Sequence, residues 1–215
     1  MAGTRKVTLR PSEALGKILS ALDRLEIPYQ IGGSTASSAH GIPRTTLDVD
    51  LVVDMPAEMI AEFTGLLGNG FFADAGMIRT AFAVGRAANV IHYATAWKFD
   101  LFPLGGDDYS RAGFARRSFR EIQIDDGGSL ECAVATAEDT ILRKLEWYRA
   151  GGERSERQWN DLLGVARTMR GRLDTSYLQQ WAPHLKVADL LDALLLEAQE
   201  PARQDPAQND PAQNP

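Results

Sequence analysis

The residues with the clearest capacity for chemistry in this sequence are a glycine pair and three aspartates. Gly32-Gly33-Ser34 is followed, after thirteen intervening residues, by Asp48-Val49-Asp50, and Asp100 stands in a second alternating stretch. Two residues apart on a strand, Asp48 and Asp50 point to the same side, about 6.5–7 Å apart. Carboxylates that close repel each other. A polar outer sheet face explains the pair simply, whereas bound divalent cations explain why the position is acidic twice. If the strand bearing Asp100 lies beside the strand bearing the pair, three carboxylates share one surface. Such hard oxygen donors suit magnesium, with waters and substrate phosphates completing its octahedron. Two ions about 3.5–4 Å apart activate an attacking hydroxyl and stabilise a leaving oxygen. Gly32-Gly33-Ser34 supplies the complementary half: glycine lets backbone approach a phosphate, and a helix start offers free N–H groups to it.

The elements that must hold these residues are legible from periodicity. Residues 12–25 read as an amphipathic helix with Leu15, Ile18, Leu19, Leu22 and Leu25 on one stripe and Ser12 as its cap. Tyr29-Gln30-Ile31 reads as a short strand, Gly32-Gly33 as a turn, and Ser34 to Ala39 as a short helix closed at Gly41. Leu47, Val49, Leu51 and Val53 alternate with Asp48 and Asp50, the pattern of a half-buried strand. Pro56 opens a helix carrying Met59, Ile60, Phe63, Leu66 and Leu67. From Phe71 to about Asp125 short strands are expected, clearest over Asn89 to Thr95 and Trp97 to Phe102. After Gly128 the pattern turns helical, over about 136–150, 155–170, 174–182 and 186–199. The fold class expected is α/β (α+β): a mixed-sheet core over residues 1–130, a helical lobe over 131–200 and a low-complexity tail over 201–215. The tail repeats Asp-Pro-Ala-Gln-Asn without an apolar anchor and is expected to be disordered.

Composition bounds the function classes. Apolar residues make up 44% and charged residues 24% of the chain, the balance of a globular protein able to bury a core. A single cysteine, Cys132, excludes an intramolecular disulfide framework. There is no apolar run of membrane-spanning length, and the basic opening lacks the apolar segment of a signal peptide, so a cytoplasmic protein without a membrane partner is expected. The net charge of −6 argues against wrapping long nucleic acid. Arg111, Arg116, Arg117 and Arg120 form a local acid-free cluster with Phe114 and Phe119. A solvated loop or edge strand is its simpler reading and an anion-binding patch the alternative.

Taken together, Gly32-Gly33-Ser34 and Arg44-Thr45-Thr46-Leu47-Asp48-Val49-Asp50-Leu51-Val52-Val53 resemble the signature of the DNA polymerase β-type nucleotidyltransferase superfamily. Within it the sequence is most similar to the AbiEii-like abortive-infection toxins. A second stretch, from Glu138 to Arg149 and then Arg157-Gln158-Trp159-Asn160-Asp161-Leu162, resembles their lysine-bearing helix and the aspartate-bearing helix that follows.

The resemblance implies an enzyme that moves a nucleoside monophosphate from a nucleoside triphosphate to a hydroxyl of an RNA, protein or small-molecule acceptor, releasing pyrophosphate. Asp48, Asp50 and Asp100 would ligate two Mg2+ ions, with Asp100 as general base. Gly32, Gly33 and Ser34 would hold the triphosphate, Lys144 would reach its β- or γ-phosphate, and Asp161 would orient the lysine or meet the acceptor. Arg44 and Thr46 occupy recurrent positions beside the acidic pair. The subgroup implies a toxin paired with an antitoxin. The rival readings are an antibiotic- or metabolite-modifying transferase and a non-catalytic nucleotide- or partner-binding module.

Simpler accounts exist for several of these residues. Lys144 lies between Ile141 and Tyr148 in helical register and reads equally as a snorkelling surface lysine. Asp161 stands four residues after Arg157, the spacing of a helical charge pair. His40, His92 and His184 lack metal-ligand spacing, Cys132 reads as buried, and Trp147, Trp159 and Trp181 read as packing residues.

Overall fold

The computed structural model describes residues 10–43, 48–125 and 128–200. The chain opens with helix α1 (Pro11–Arg24), whose stripe of Leu15, Ile18 and Leu22 is fully buried. Its start differs from the expected Ser12 cap. Pro11 already occupies the first turn, and the Glu13 carboxylate takes the Arg10 N–H at 2.9 Å, leaving Ser12 inside the helix. Strand β1 (Tyr29–Ile31), helix α2 (Gly33–His40) and strand β2 (Asp48–Val53) then build the expected strand–turn–helix–strand unit. Helix α3 (Ile60–Leu67) buries Ile60 and Phe63.

Between Phe71 and Asp125 the strands β3 (Phe71–Phe72), β4 (Ala88–His92), β5 (Lys98–Pro103) and β6 (Ser118–Asp125) alternate with two helices that the periodicity did not announce. These are α4 (Ala75–Ala83) and α5 (Asp108–Ala115). Each is started by an aspartate cap: Asp74 accepts the Met77 N–H at 2.7 Å and Asp107 the Ser110 N–H at 2.9 Å. Helix α4 buries only Ile78, so its apolar stripe is too thin to read from sequence.

A further strand, β7 (Gly128–Val134), lies where the sequence reading already turns helical, and it carries the sheet past the expected limit at 130. The seven strands form one mixed sheet in the order β3-β4-β5-β2-β1-β7-β6. Strand β2 runs parallel to β5 and antiparallel to β1, and β1 runs parallel to β7. Helices α6 (Ala137–Ala150), α7 (Glu156–Thr168), α8 (Thr175–His184) and α9 (Ala188–Gln199) complete the chain close to their expected limits.

The apolar interior has two parts. One joins α1, α3 and the inward residues of the sheet, among them Val49, Leu51, Phe99 and Leu101. The other joins α6 to α9 through Ile141, Leu145, Leu162, Leu178 and Leu194, with Tyr109 of α5 reaching into it. Helix α2 touches β2 on one side and α6 and α7 on the other, so it couples the sheet to the helical lobe. No helix among the described residues is long and apolar enough to cross a membrane. The expected disorder of residues 201–215, and the positions of Arg44 and Thr46, lie outside the described residues.

Candidate active site

Strand alternation brings the acids to one surface. Val49, Leu51, Phe99 and Leu101 are fully buried in the sheet core, so Asp48, Asp50, Lys98 and Asp100 emerge on the opposite face. The parallel register sets Asp48 against Lys98 and Asp50 against Asp100. The three aspartates therefore share a face on adjacent strands, as the spacing requires. Lys98 stands among them, as the alternation of Trp97, Phe99 and Leu101 with Lys98 and Asp100 predicts.

The turn after β1 is built around Asp50. The Gly32 N–H donates to the Asp50 carbonyl at 2.9 Å, and Gly33 turns with φ of 54° to begin α2. A Cβ at Gly33 would lie 1.7 Å from the Asp50 Oδ2, so the carboxylate rests directly against the helix start. Only glycine meets both demands. Gly33→Ala is accordingly expected to cost about 1–2 kcal/mol from the backbone conformation alone and to push the Asp50 carboxylate out of place. Denaturant titration and a nucleotide-binding isotherm measured together check this; an alanine variant with wild-type values for both would show that the close approach is unimportant. Ser34 follows in the first turn, half-buried, outside the lining of the adjoining cavity.

Asp50 has the most perturbed carboxylate of the site. Burial, then the neighbouring charges of Asp48 and Asp100, push its pKa from 3.8 to about 6, with Lys98 and Lys144 acting the other way. Asp100 is engaged at both oxygens. Its Oδ2 lies 2.7 Å from the Lys98 Nζ, and its Oδ1 accepts from the Asn89 side-chain amide across the β4–β5 pair. The ion pair holds the Lys98 ammonium above its ordinary pKa.

That engagement bears on metal binding. Among the described residues no set of three or more His, Cys, Asp or Glu side chains closes around a point suited to a metal ion. The chemistry of the donor set still fits a divalent cation at Asp48 and Asp50, two hard oxygen donors on one sheet face.

From Asp50 a cavity of about 390 Å3 extends between the polar sheet face and helices α5 and α6. Gly33, Asp50, Phe102, Arg143, Lys144 and Trp147 stand on its wall; Asp48, Asp100 and Asp161 do not. Two further wall groups, the Gln30 Oε1 and the Thr140 Oγ1, are buried without a hydrogen-bond partner among the described residues. Orphaned polar atoms in a cavity wall are groups a ligand or water can satisfy. Trp147 is not simple packing. It stacks on Phe102 with ring centroids 6.1 Å apart, joining the helical lobe to the sheet at the cavity wall while staying 36% exposed.

Lys144 is not a snorkelling surface lysine either. It is buried, and its Nζ lies 2.8 Å from the Asp161 Oδ2, linking α6 to α7. The two positions singled out in the helical stretch thus meet, 17 residues apart.

In the arginine cluster around α5, Arg116 and Arg117 are half-buried while Arg111 and Arg120 are exposed. Arg116 reaches Glu138, Asp139 and Asp174, and Arg117 donates to the Phe114 carbonyl at 2.7 Å. Arg120 lies on edge strand β6, donating toward the Ser118 hydroxyl at 3.5 Å. His40 contacts the Ala135 carbonyl at 2.7 Å and His92 the Thr95 hydroxyl at 2.9 Å, both structural roles. Cys132 is fully buried, which pushes its thiol up to about 12 and leaves it inert.

No family profile matches the chain, and no curated protein matches it at a significant level. Similar solved structures exist. The solution structure of the antibiotic-resistance factor ANT(2'')-Ia is 16% identical with a TM-score of 0.42, covering 86% of this chain and 94% of that one. A crystal structure of ANT(2'')-Ia in complex with adenylyl-2''-tobramycin is 14% identical with a TM-score of 0.45, covering 80% and 94%. An antigenic nucleotidyltransferase-like protein from Paracoccidioides brasiliensis is 15% identical with a TM-score of 0.41, covering 85% and 91%. Likeness at this level bears no weight for activity, which has to be argued from the site itself.

Proposed function

We propose that the chain is a nucleotidyltransferase that moves a nucleoside monophosphate from a nucleoside triphosphate to an acceptor hydroxyl. One observation carries the reading. Asp48, Asp50 and Asp100 share a sheet face whose central carboxylate rests on a glycine-opened helix and faces a cavity large enough for a small ligand.

In this reading Asp48 and Asp50 would hold magnesium, with Asp100 as the third acid, and the ion would supply charge stabilisation to the phosphate. The backbone N–H groups at Gly33 and Ser34 bind phosphate at the α2 start. Lys144 contributes positive potential to the cavity wall from its ion pair with Asp161. Asp100 accepts the proton of the acceptor hydroxyl. The acceptor oxygen then bonds to the α-phosphorus, the bond from that phosphorus to the bridging oxygen breaks, and pyrophosphate leaves. The protein's contribution is positioning and charge, as in phosphoryl transfer generally.

The AbiEii-like subgroup, and with it a toxin role and an antitoxin partner, enters the proposal from the sequence resemblance over residues 138–162, the stretch in which Lys144 meets Asp161. The antibiotic- or metabolite-modifying alternative shares this site and differs from transfer to an RNA end or a protein hydroxyl only in the acceptor. The engagement of both Asp100 oxygens favours the non-catalytic alternative, a nucleotide-binding module. Pyrophosphate release separates these. The protein is incubated with magnesium, each nucleoside triphosphate in turn, and fractions of RNA, protein and small metabolites. Release dependent on one fraction identifies transfer and its acceptor class. Nucleotide binding without release in any fraction selects the binding module.

A further inference from the structure

Lys98 is the residue of the acidic face that nothing so far employs. It stands directly opposite Asp48 in the β2–β5 register, two residues before Asp100, on the face shared by all three aspartates. Its Nζ contacts the Asp100 Oδ2 at 2.7 Å, and the Asn89 amide holds the other oxygen of that carboxylate. Asp100 is thus supplied with a cation from the chain itself. The face carries three carboxylates and one ammonium, a balance that a single divalent ion neutralises. A second divalent ion at Asp100 would need the lysine to withdraw, because a metal and an ammonium cannot share one carboxylate oxygen at bonding distance without strong repulsion. The absence, among the described residues, of a three-carboxylate set closed around a point agrees with this arrangement.

We propose that Lys98 is a tethered counter-cation that takes the place of a second divalent ion on Asp100, so that the protein without nucleotide binds one divalent cation rather than two. The inference rests on the metal-dependent reading above and refines it. It makes Lys98 a positioning residue, which holds the Asp100 carboxylate between the Asn89 amide and its own ammonium until substrate draws the ammonium away. A half-exposed lysine side chain has the freedom to make that move.

The test is a count of bound Mn2+ by electron paramagnetic resonance and calorimetry on the nucleotide-free protein. Wild type is expected to bind one ion. Lys98→Met is expected to bind two, the second at least about tenfold more tightly than any second ion in wild type. Lys98→Arg keeps the charge and is expected to keep the count at one. Lys17→Met, on the exposed side of α1, changes the net charge equally and is also expected to leave one ion. Two ions in wild type, or equal counts and affinities in wild type and Lys98→Met, would overturn the role of Lys98 while leaving the metal site standing. No Mn2+ in either protein would overturn both the inference and the metal-dependent reading.

Discussion

Replacing Asp50 by asparagine is expected to stabilise the metal-free protein above about pH 6 and to remove transfer activity. Asp50 is held with its pKa at about 6 rather than 3.8, chiefly by burial and then by Asp48 and Asp100. Between those two values the folded chain binds more protons than the unfolded chain, so stability falls as pH rises. Below about pH 4 both states are protonated and the penalty vanishes; above about pH 6 it is complete. Two pKa units correspond to about 3 kcal/mol, and partial solvent screening lowers the expected figure to on the order of 2 kcal/mol. Asparagine carries no charge, so Asp50→Asn should lack this slope and unfold at higher denaturant than wild type at pH 7.5 in chelator. Added magnesium should narrow the gap by stabilising wild type alone. Transfer should fall by ~10^3-fold or more, because the lost carboxylate is a metal ligand. Denaturation midpoints across pH 4 to 8, about the range that brackets the shift, check the first half. Parallel slopes for the two proteins would show that Asp50 ionises as an ordinary carboxylate.

Lys144→Ala is expected to destabilise the fold by about 1.5–3 kcal/mol, the cost of losing a charge-assisted hydrogen bond between largely buried groups. The ammonium and the Asp161 carboxylate have side chains only 7% and 12% exposed, so water replaces a lost partner poorly. Lys144→Met combined with Asp161→Leu removes both charges and should recover most of that loss, since an apolar pair of similar volume often replaces a buried ion pair without cost. A double-mutant cycle by urea denaturation measures the coupling. A single variant within about 0.5 kcal/mol of wild type would return Lys144 to the surface class. If the stable double variant also loses nucleotide affinity, the lysine serves the cavity as well as the α6–α7 contact.

Local signals carried the sequence reading where burial is decided locally. The alternation of Asp48, Asp50 and their apolar neighbours gave β2 its faces, and the leucine stripes gave α1 and the helical lobe. Helix α4 was missed because it exposes most of its length, and α5 because it is short and buries only Tyr109, Gly113 and Phe114; an aspartate cap marks the start of each. Strand β7 was missed although Leu130, Cys132 and Val134 alternate, because its place depends on long-range pairing with β1 and β6. The burial of Lys144 is equally non-local: it requires α7 to fold back over α6. Lys98 had a legible signal, since it shares a strand face with Asp100. Its contact with Asp100 is set by side-chain rotamers on that face, which the alternation does not fix.

Transfer of a nucleotidyl group is tested by the position of a radiolabel. The protein, magnesium and a cell extract are incubated with the same nucleoside triphosphate labelled either at the α- or at the γ-phosphorus, with Asp50→Asn as control. α-Label is expected to enter an acceptor while γ-label appears only in pyrophosphate, and the asparagine variant is expected to move neither. Entry of γ-label into the acceptor, or equal α-labelling by Asp50→Asn, would contradict it.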